Sequence, residues 1–271
     1  MNTSYKYFGF IFSLFNYASL ILRMTKHEVM GRYRGSIFGL LWSFVTPILM
    51  LGIYTFVFSI VFKARWGQDT SDSFQFAIIL FVGLIFYNLL NECWSRAPTL
   101  IINNANYVKK VVFPVEVLAW ISLGSALFHA GMSLLVLLIF LPILGYAIHW
   151  TFLLLPIVIA PFLLLIMGVS WLVASLGVFI RDINQVIGML LTVLLFLCPI
   201  FYPLSALPEH LQPWLLLNPL TFIVEQARTI LVWGELPDWY GLSIYFLLSL
   251  LCGWSGWMWF IKTRKGFADV L

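Results

Sequence analysis

The sequence predicts an all-α integral membrane protein with six transmembrane helices in a single domain, residues 1–271. Of these residues 62% are hydrophobic and only 10% are charged, whereas about a quarter of the residues in a soluble domain are charged. A helix needs roughly 20 mainly apolar residues to cross a hydrocarbon core about 30 Å thick. Six such helices leave enough chain for loops, but not for a sizeable soluble domain.

The six predicted spans are uncharged runs separated by polar residues or prolines. Pro47 lies inside the first run, and Pro142 and Gly145 are expected to end the third. A short polar turn, Arg181-Asp182, divides the fourth run from the fifth. The predicted spans are residues 36–62, 74–90, 117–141, 151–180, 186–202 and 240–261.

Residues 5–30 precede the first span and are predicted to form an amphipathic helix in the membrane interface. The uninterrupted apolar run and small-residue cleavage site of a signal peptide are absent. Polar residues recur every three or four positions and so share one helical face: Ser13, Asn16, Ser19, Arg23 and Lys26.

Residues 203–239, between the last two spans, combine five prolines with apolar patches that are too short to cross a membrane. We predict a re-entrant outer hairpin of two short helices that dip into the outer leaflet and return. Irregular backbone at membrane depth is tolerated only where protein covers it or where it lines a cavity. The hairpin therefore predicts a cavity or a subunit contact nearby.

The distribution of positive charge predicts the orientation. With six spans and both termini on one side, that side carries twelve of the Lys and Arg residues, and the other carries only Lys63, Arg65 and Arg228. Cytoplasmic loops are enriched in Lys and Arg. Both termini, residues 91–116 and the turn at 181–185 are therefore predicted to face the cytoplasm.

Enzymatic and nucleic-acid-binding roles find little support in the residues. No basic cluster exceeds three residues in a short window, and the three cysteines lie in apolar sequence without metal-site spacing. His129 is the only ionisable residue well inside a predicted span. A lone histidine in this position is more often hydrogen-bonded within the helix contacts than functional, although ionisable groups inside a membrane tend to be functional. The closest approach to a phosphate-binding loop, residues 256–263, lacks the second glycine. Any ATP must therefore be bound by another subunit.

Aromatic residues make up 18% of the chain. Most are explained by interface belts and helix contacts, but one face of the first predicted span collects Phe44, Pro47, Leu51, Tyr54 and Phe58. Such a face suits the apolar sides of sugar rings, and tyrosine hydroxyls can bond to sugar hydroxyls. The alternative is ordinary contact with neighbouring helices.

Several segments, in order along essentially the whole chain, carry a family likeness: residues 27–36 (HEVMGRYRGS), 39–47, 54–62, 178–183 (VFIRDI), 199–202 (PIFY) and 218–219, followed by Glu225 and Arg228. Together they resemble polysaccharide-exporting ABC permeases, and most closely the O-antigen exporter membrane subunits of the Wzm type. Capsule and teichoic-acid exporter subunits belong to the same wider group.

The resemblance implies a multi-pass protein of the bacterial inner membrane that forms a homodimer bound to two copies of a separate ATP-binding subunit. It implies a glycan linked to undecaprenyl diphosphate as the cargo, with ATP and Mg on the partner subunit, no cofactor in this chain and no nucleic acid. Residues 91–116 are then expected to hold a short coupling helix that docks on the ATPase. Permeases of capsule, teichoic acid, or a small drug or lipid are the alternatives.

The expected site residues fall into two groups. Arg32 and Arg34 are expected to attract the lipid diphosphate, and Phe44, Tyr54, Phe58, Phe201 and Tyr202 to contact the glycan. Arg181 and Asp182 are expected to have a structural or gating role. So are Glu225 and Arg228, which lie three residues apart and share one helical face. Neutralising Arg228 alone is expected to be worse than replacing both members of this pair.

Overall fold

The computed structural model describes residues 9–62, 66, 73–109 and 113–270, and the described residues contain helices and no strands. Residues 5–8 of the predicted interfacial helix, most of the loop at 63–73 and residues 110–112 lie outside the described part. The helices are α1 (Gly9–Asn16), α2 (Ala18–Arg32), α3 (Trp42–Tyr54), α4 (Ser73–Leu100), α5 (Ala105–Val108), α6 (Val117–Ile143), α7 (Leu155–Phe179), α8 (Ile183–Leu197), α9 (Gln212–Leu216), α10 (Pro219–Arg228), α11 (Trp239–Thr263) and α12 (Phe267–Val270).

Several helices are long and apolar enough to cross a membrane, which confirms the predicted multi-pass helical class. Within the described residues there are five such runs, namely Gly39–Val61, Phe74–Leu100, Val117–Ile143, Trp150–Phe179 and Trp239–Gly266. α8 is apolar but has only 15 residues, a length of about 22 Å at 1.5 Å per residue. Its length alone therefore does not establish a sixth span.

The fifth predicted span ends earlier than expected. α8 stops at Leu197, and Cys198 adopts an extended conformation with φ −87° and ψ 139°. Pro199 follows, and the residue before a proline is disfavoured in the helical region. Residues 198–202 therefore form a turn rather than the last turn of a helix.

The second predicted span is longer than expected. α4 does not stop at the polar residues Asn91 and Glu92 but continues to Leu100. Glu92 bonds to side chains of neighbouring helices there, so the polar residues do not need to leave the bundle. Of the predicted segment 91–116, only the part after Leu100 is a connection, with a 3₁₀ turn (Ile102–Asn104) leading into α5.

The N-terminal region consists of two helices instead of one. α1 and α2 meet at Tyr17, whose φ of −112° and ψ of 17° depart from helical values. The predicted polar face is also not uniformly exposed, because Ser13 is fully buried and accepts a hydrogen bond of 3.1 Å from Trp120 Nε1 on α6. Both helices lie against α6.

α4 is the central helix of the bundle. It contacts α3, α6, α7, α8 and α10. A helix that is apolar around its whole circumference belongs in the interior, and Ile79, Leu80, Val82 and Leu90 have no exposed surface. α3, α6, α7 and α8 therefore surround α4, whereas α11 packs on α7, and each of these helices leaves apolar side chains exposed.

α7 and α11 make an extensive and close helix contact. A Cβ atom at Gly256 would collide with the backbone of Gly168, so the two helices approach through their glycines. Trp171 and Trp257 meet edge to face above this contact, with ring centroids 5.1 Å apart. At one end Arg264, just after α11, bonds to the buried Glu116 before α6 at 2.8 Å.

This contact predicts that Gly256→Ala lowers the thermal stability of the purified protein. The added methyl group would meet Gly168 backbone atoms, which cannot move aside as a side chain can. Gly131→Ala in α6 is the matched control, because no atom lies within 4 Å of its added Cβ and alanine favours a helix by about 0.5–1 kcal/mol over glycine. Unfolding followed in detergent by scanning fluorimetry should show a lower midpoint for Gly256→Ala alone. Equal midpoints for the two variants would contradict the assigned contact.

Candidate functional site

Five charged or titratable side chains from three helices meet inside the bundle, toward the C-terminal end of α4. They are supplied by α2, α4 and α6, and we call them the Glu92 cluster: Glu28, Arg32, Glu92, Arg96 and His129. Arg32 Nη1 lies 2.6 Å from Glu92 Oε1, and His129 Nδ1 lies 2.9 Å from Glu92 Oε2. Arg96 bonds to Glu28 at 2.6 Å and lies 3.3 Å from Glu92. Both oxygens of Glu92 are therefore engaged.

Helical spacing places these side chains on facing surfaces. Glu28 and Arg32 are four residues apart on α2, as are Glu92 and Arg96 on α4, so each pair shares one helical face. α2 runs beside α6, which also contacts α4, and His129 completes the cluster from α6. The cluster therefore joins three helices that are far apart in sequence.

His129 makes the hydrogen bond within the helix contacts that the sequence predicts, and its partner is Glu92. His129 Nδ1 lies 2.9 Å from Glu92 Oε2 and 3.1 Å from Arg32 Nη1. A carboxylate only accepts hydrogen bonds, so the tautomer with the proton on Nδ1 is the one that donates to Glu92. The other ring nitrogen, Nε2, is buried and has no hydrogen-bond partner among the described residues. This pairing cannot be predicted from the sequence, which places Glu92 beyond the end of its span.

Three cavities surround the C-terminal half of α2. One of about 330 Å³ lies beside Arg32, Glu92 and His129, and its other polar lining residues are Tyr33, Ser43, Thr46, Asn88 and Ser133. A second of about 710 Å³ is lined by Arg23, His27, Glu28, Arg96, Asn103, Asn104, Tyr107 and apolar residues. A third of about 450 Å³ includes Arg34, Tyr33 and Leu40. Arginines thus reach all three cavities.

The donors of the Glu92 cluster surround one anionic group. Three nitrogen-bearing groups, from Arg32, Arg96 and His129, converge on the single carboxylate of Glu92. Arginine binds carboxylate and phosphate oxygens alike, with charge-assisted hydrogen bonds. Arg34, the second arginine expected to attract an anion, lies in the neighbouring cavity and outside the cluster.

The predicted aromatic face of the first span lies largely against the protein's own helices. Phe44, Tyr54 and Phe58 are half-buried against the core, and Phe58 stacks on Phe76 of α4 with centroids 5.5 Å apart. Exposed apolar side chains lie elsewhere on this segment, at Leu49, Ile53, Phe56 and Ile60. The geometry favours the helix-contact alternative for this face, and a glycan-contacting role stays a prediction.

Phe201 joins this group and Tyr202 does not. The ring centroid of Phe201 lies 6.2 Å from that of Phe58 and 6.1 Å from that of Phe196. Tyr202 instead donates its hydroxyl to the Phe196 carbonyl at 2.9 Å. A contact of either residue with substrate stays a prediction.

Arg228 forms a second polar centre at the other end of α4, and we call it the Arg228 clamp. The expected pair is present, with Nη1 2.7 Å from Glu225 Oε1. The guanidinium also donates to the carbonyls of Ile79, Pro199 and Ile200 at 3.2, 2.7 and 3.3 Å and lies 4.5 Å from the centroid of the Trp66 ring. Arg228 thus fixes α10 to α4 and to the turn after α8.

The remaining predicted residues, Arg181 and Asp182, lie in an exposed turn between α7 and α8. They belong to neither polar centre. The described residues also contain no group of three or more His, Cys, Asp or Glu side chains arranged to hold a metal ion.

Comparison with known proteins places the chain among membrane transport proteins. The family model described as "ABC-2 type transporter" matches residues 19–232. The O-antigen export system permease protein RfbA of Myxococcus xanthus is 27% identical over 258 residues, 94% of this chain and 96% of that protein. The protein of the same name from Klebsiella pneumoniae is 25% identical over 274 residues, covering both chains fully. The polysialic acid transport protein KpsM of Escherichia coli is 24% identical over 225 residues, 81% of this chain and 83% of that protein.

The geometry of the Arg228 clamp favours a different order of severity from the one that the sequence predicts. In Arg228→Gln three backbone carbonyls lose a charged donor, whereas the Glu225 side chain is 37% exposed and can be hydrated. Arg228→Gln and the double variant with Glu225→Gln should therefore be similarly unstable, and Glu225→Gln alone milder. The yield of folded protein and its thermal midpoint measure this order. A double variant markedly more stable than Arg228→Gln would show that the unpaired carboxylate, and not the loss of carbonyl bonds, causes the damage.

Proposed function

This chain belongs to the ABC-2 type transporter family, and from that premise we propose that it is the membrane subunit of an ATP-driven exporter of a lipid-linked polysaccharide in the bacterial inner membrane. The observation that carries the proposal is the alignment of O-antigen export permeases along essentially the whole chain. Capsule export is the second candidate, because a polysialic acid transport protein aligns with 81% of the chain. Both candidates move a long glycan.

Membership of this family implies a partnership with an ATP-binding subunit. We propose that two copies of this chain assemble with two ATP-binding subunits, which hold ATP and Mg, while this chain carries no cofactor. A homodimer is supported by size, since one bundle packed around α4 leaves little interior for a polymer. The 3₁₀ turn and α5, between α4 and α6, are proposed as the coupling element. Ile102 and Tyr107 are exposed there by 39% and 37% and offer an apolar surface for docking.

We propose six spans with both termini in the cytoplasm, α8 being the short additional span. α2 would then lie in the inner interface, and α9 and α10 would form the re-entrant hairpin at the outer face. This orientation is supported by the excess of Lys and Arg on the side that carries α2 and the end of α11. The hairpin is supported by a contrast in burial between its two helices. Trp214 on α9 and Leu217 just after it are exposed, whereas Ile223 and Ala227 on α10 are buried.

The Glu92 cluster and its cavities are proposed as the place where the lipid diphosphate is admitted. Glu92 lies eight residues before the end of α4, about 12 Å from that end at 1.5 Å per residue. His129 lies near the middle of α6, so with the proposed orientation the cluster lies on the cytoplasmic side of the membrane centre, and a headgroup would reach it through the adjoining cavities. Arg32 and Arg34 offer guanidinium groups to an undecaprenyl diphosphate headgroup there. The glycan would then follow a path near α3 and α8.

Deletion of this chain's gene tests the proposed function. Surface polysaccharide should be lost and its lipid-linked form should accumulate on the cytoplasmic side, because synthesis continues without export. Immunoblots of surface glycan and of lipid extracts measure the two pools, and plasmid-borne wild-type protein is the control. Unchanged surface polysaccharide, or loss of both pools together, would contradict an export role.

Cysteine labelling tests the orientation and the sixth span in one experiment. In intact cells a membrane-impermeant maleimide should label Trp214→Cys on α9 but not Arg181→Cys in the turn before α8, since α8 is proposed to cross between them. Both positions are exposed. Cys93 and Cys198 are buried and only Cys252 needs prior replacement by serine. Labelling of both positions, or of neither until the cells are opened, would contradict the proposed crossing.

A further inference from the structure

We propose that Glu92 occupies a binding site for a phosphate-bearing headgroup and that the bound headgroup takes its place beside Arg32. The identity of the ligand as a lipid diphosphate rests on the proposed export function. The site itself rests on the geometry of the Glu92 cluster. Glu92 therefore acts as an internal substitute for the ligand and sets the charge that a ligand must carry.

The first argument is the convergence of donors on one carboxylate. Arg32, Arg96 and His129 approach Glu92 from three helices and engage both of its oxygens at 2.6–3.3 Å. This is the environment that an anionic oxygen group requires. A carboxylate supplied by the protein keeps the cations paired while no ligand is bound. This pairing is needed because an unpaired charge in an apolar bundle is strongly destabilising.

The second argument is that Arg32 can change partner while its neighbours stay in place. Among the described residues Glu92 is the only carboxylate that pairs with Arg32, whose side chain is 47% exposed. Arg96 keeps a second carboxylate, Glu28 at 2.6 Å. Displacement from Arg32 would therefore leave the rest of the cluster paired.

The third argument is the cavity next to the pair. It measures about 330 Å³ and is lined by both Arg32 and Glu92, and it brings hydroxyl and amide groups close to the pair, from Tyr33, Ser43, Thr46, Asn88 and Ser133. Such groups donate hydrogen bonds to phosphate oxygens. The cavity thus offers room and further hydrogen-bond donors for a headgroup. An apolar ligand could not accept hydrogen bonds from these donors.

Competition with Glu92 has a consequence for selectivity. A ligand must interact with Arg32 more strongly than the tethered carboxylate does. A diphosphate carries more negative charge and more acceptor oxygens than a phosphodiester, so it gains more from the same arginine. Glu92 would therefore exclude the singly charged phospholipids that surround the protein and admit a diphosphate.

The test is ligand binding to the purified complex of this chain with its ATP-binding subunit, by isothermal titration in detergent. The probes are farnesyl diphosphate, inorganic pyrophosphate and phosphatidylglycerol. Glu92→Gln should bind farnesyl diphosphate at least about tenfold more tightly than wild type, because one charge-assisted competitor is removed. It should also gain measurable binding of phosphatidylglycerol. Arg32→Gln in the same background should abolish both gains.

Glu28→Gln is the matched control, since it removes the same charge from the same cluster but leaves Glu92 on Arg32. It should change binding by less than about threefold. Equal tightening in Glu28→Gln and Glu92→Gln would overturn the proposal, as would unchanged binding in Glu92→Gln. If Glu92→Gln does not fold, Glu92→Asp retracts the carboxylate by one methylene, and it should tighten binding partially. No tightening in Glu92→Asp would then overturn the proposal.

The pyrophosphate probe separates a headgroup site from a site for free phosphate. Tightening for farnesyl diphosphate without tightening for pyrophosphate supports a lipid headgroup, and tightening for pyrophosphate alone overturns it. Equal tightening for both shows that the diphosphate group alone is recognised and supports the anion site. These outcomes are independent of the export phenotype. A deletion strain that still exports would remove the proposed function without altering the binding result.

Discussion

Every charge within this apolar bundle needs a partner, and the arrangement of the helices depends on that constraint. A lone charged side chain at the centre of a membrane helix costs about 2.5–3.5 kcal/mol on insertion scales. The Glu92 cluster meets the constraint by joining α2, α4 and α6, and the Arg228 clamp by joining α10 to α4 and to the turn after α8. Glu116 and Arg264 connect α6 to the end of α11. The central helix α4 is thus held by polar contacts near both of its ends.

The two ends of α4 differ in ways that matter for transport. The Arg228 guanidinium has no exposed surface and bonds to three main-chain carbonyls, so it can hardly change partner without breaking the fold. Arg32 at the other end is half-exposed, bonds to a side chain and faces a cavity. One end therefore holds α10 and the turn after α8 in place, and the other is suited to exchange a protein carboxylate for a ligand.

The sequence was sufficient for features that depend on local composition. The long apolar runs located the membrane helices, and a spacing of three residues identified the Glu225–Arg228 pair. It was insufficient wherever a polar residue finds its partner on another helix. Glu92 and His129 are 37 residues apart, and no periodicity reports which helices are neighbours. For that reason the sequence predicts too early an end for α4 and does not identify the partner of His129. The carbonyl partners of Arg228 could not be predicted from the sequence, because every residue has a main-chain carbonyl and the residue type does not show which one accepts a bond.

Photo-crosslinking in living cells tests most directly whether the lipid-linked glycan is admitted at the α2 end. A photoreactive amino acid is placed at Leu40, which lines the cavity of Arg34, or at Leu247, which lines a separate apolar groove between α7 and α11. Both side chains are exposed. Irradiation of cells that make the polysaccharide should give a glycan-bearing adduct from Leu40 and none from Leu247. Adducts of equal strength from both positions, or an adduct from Leu247 alone, would contradict this account.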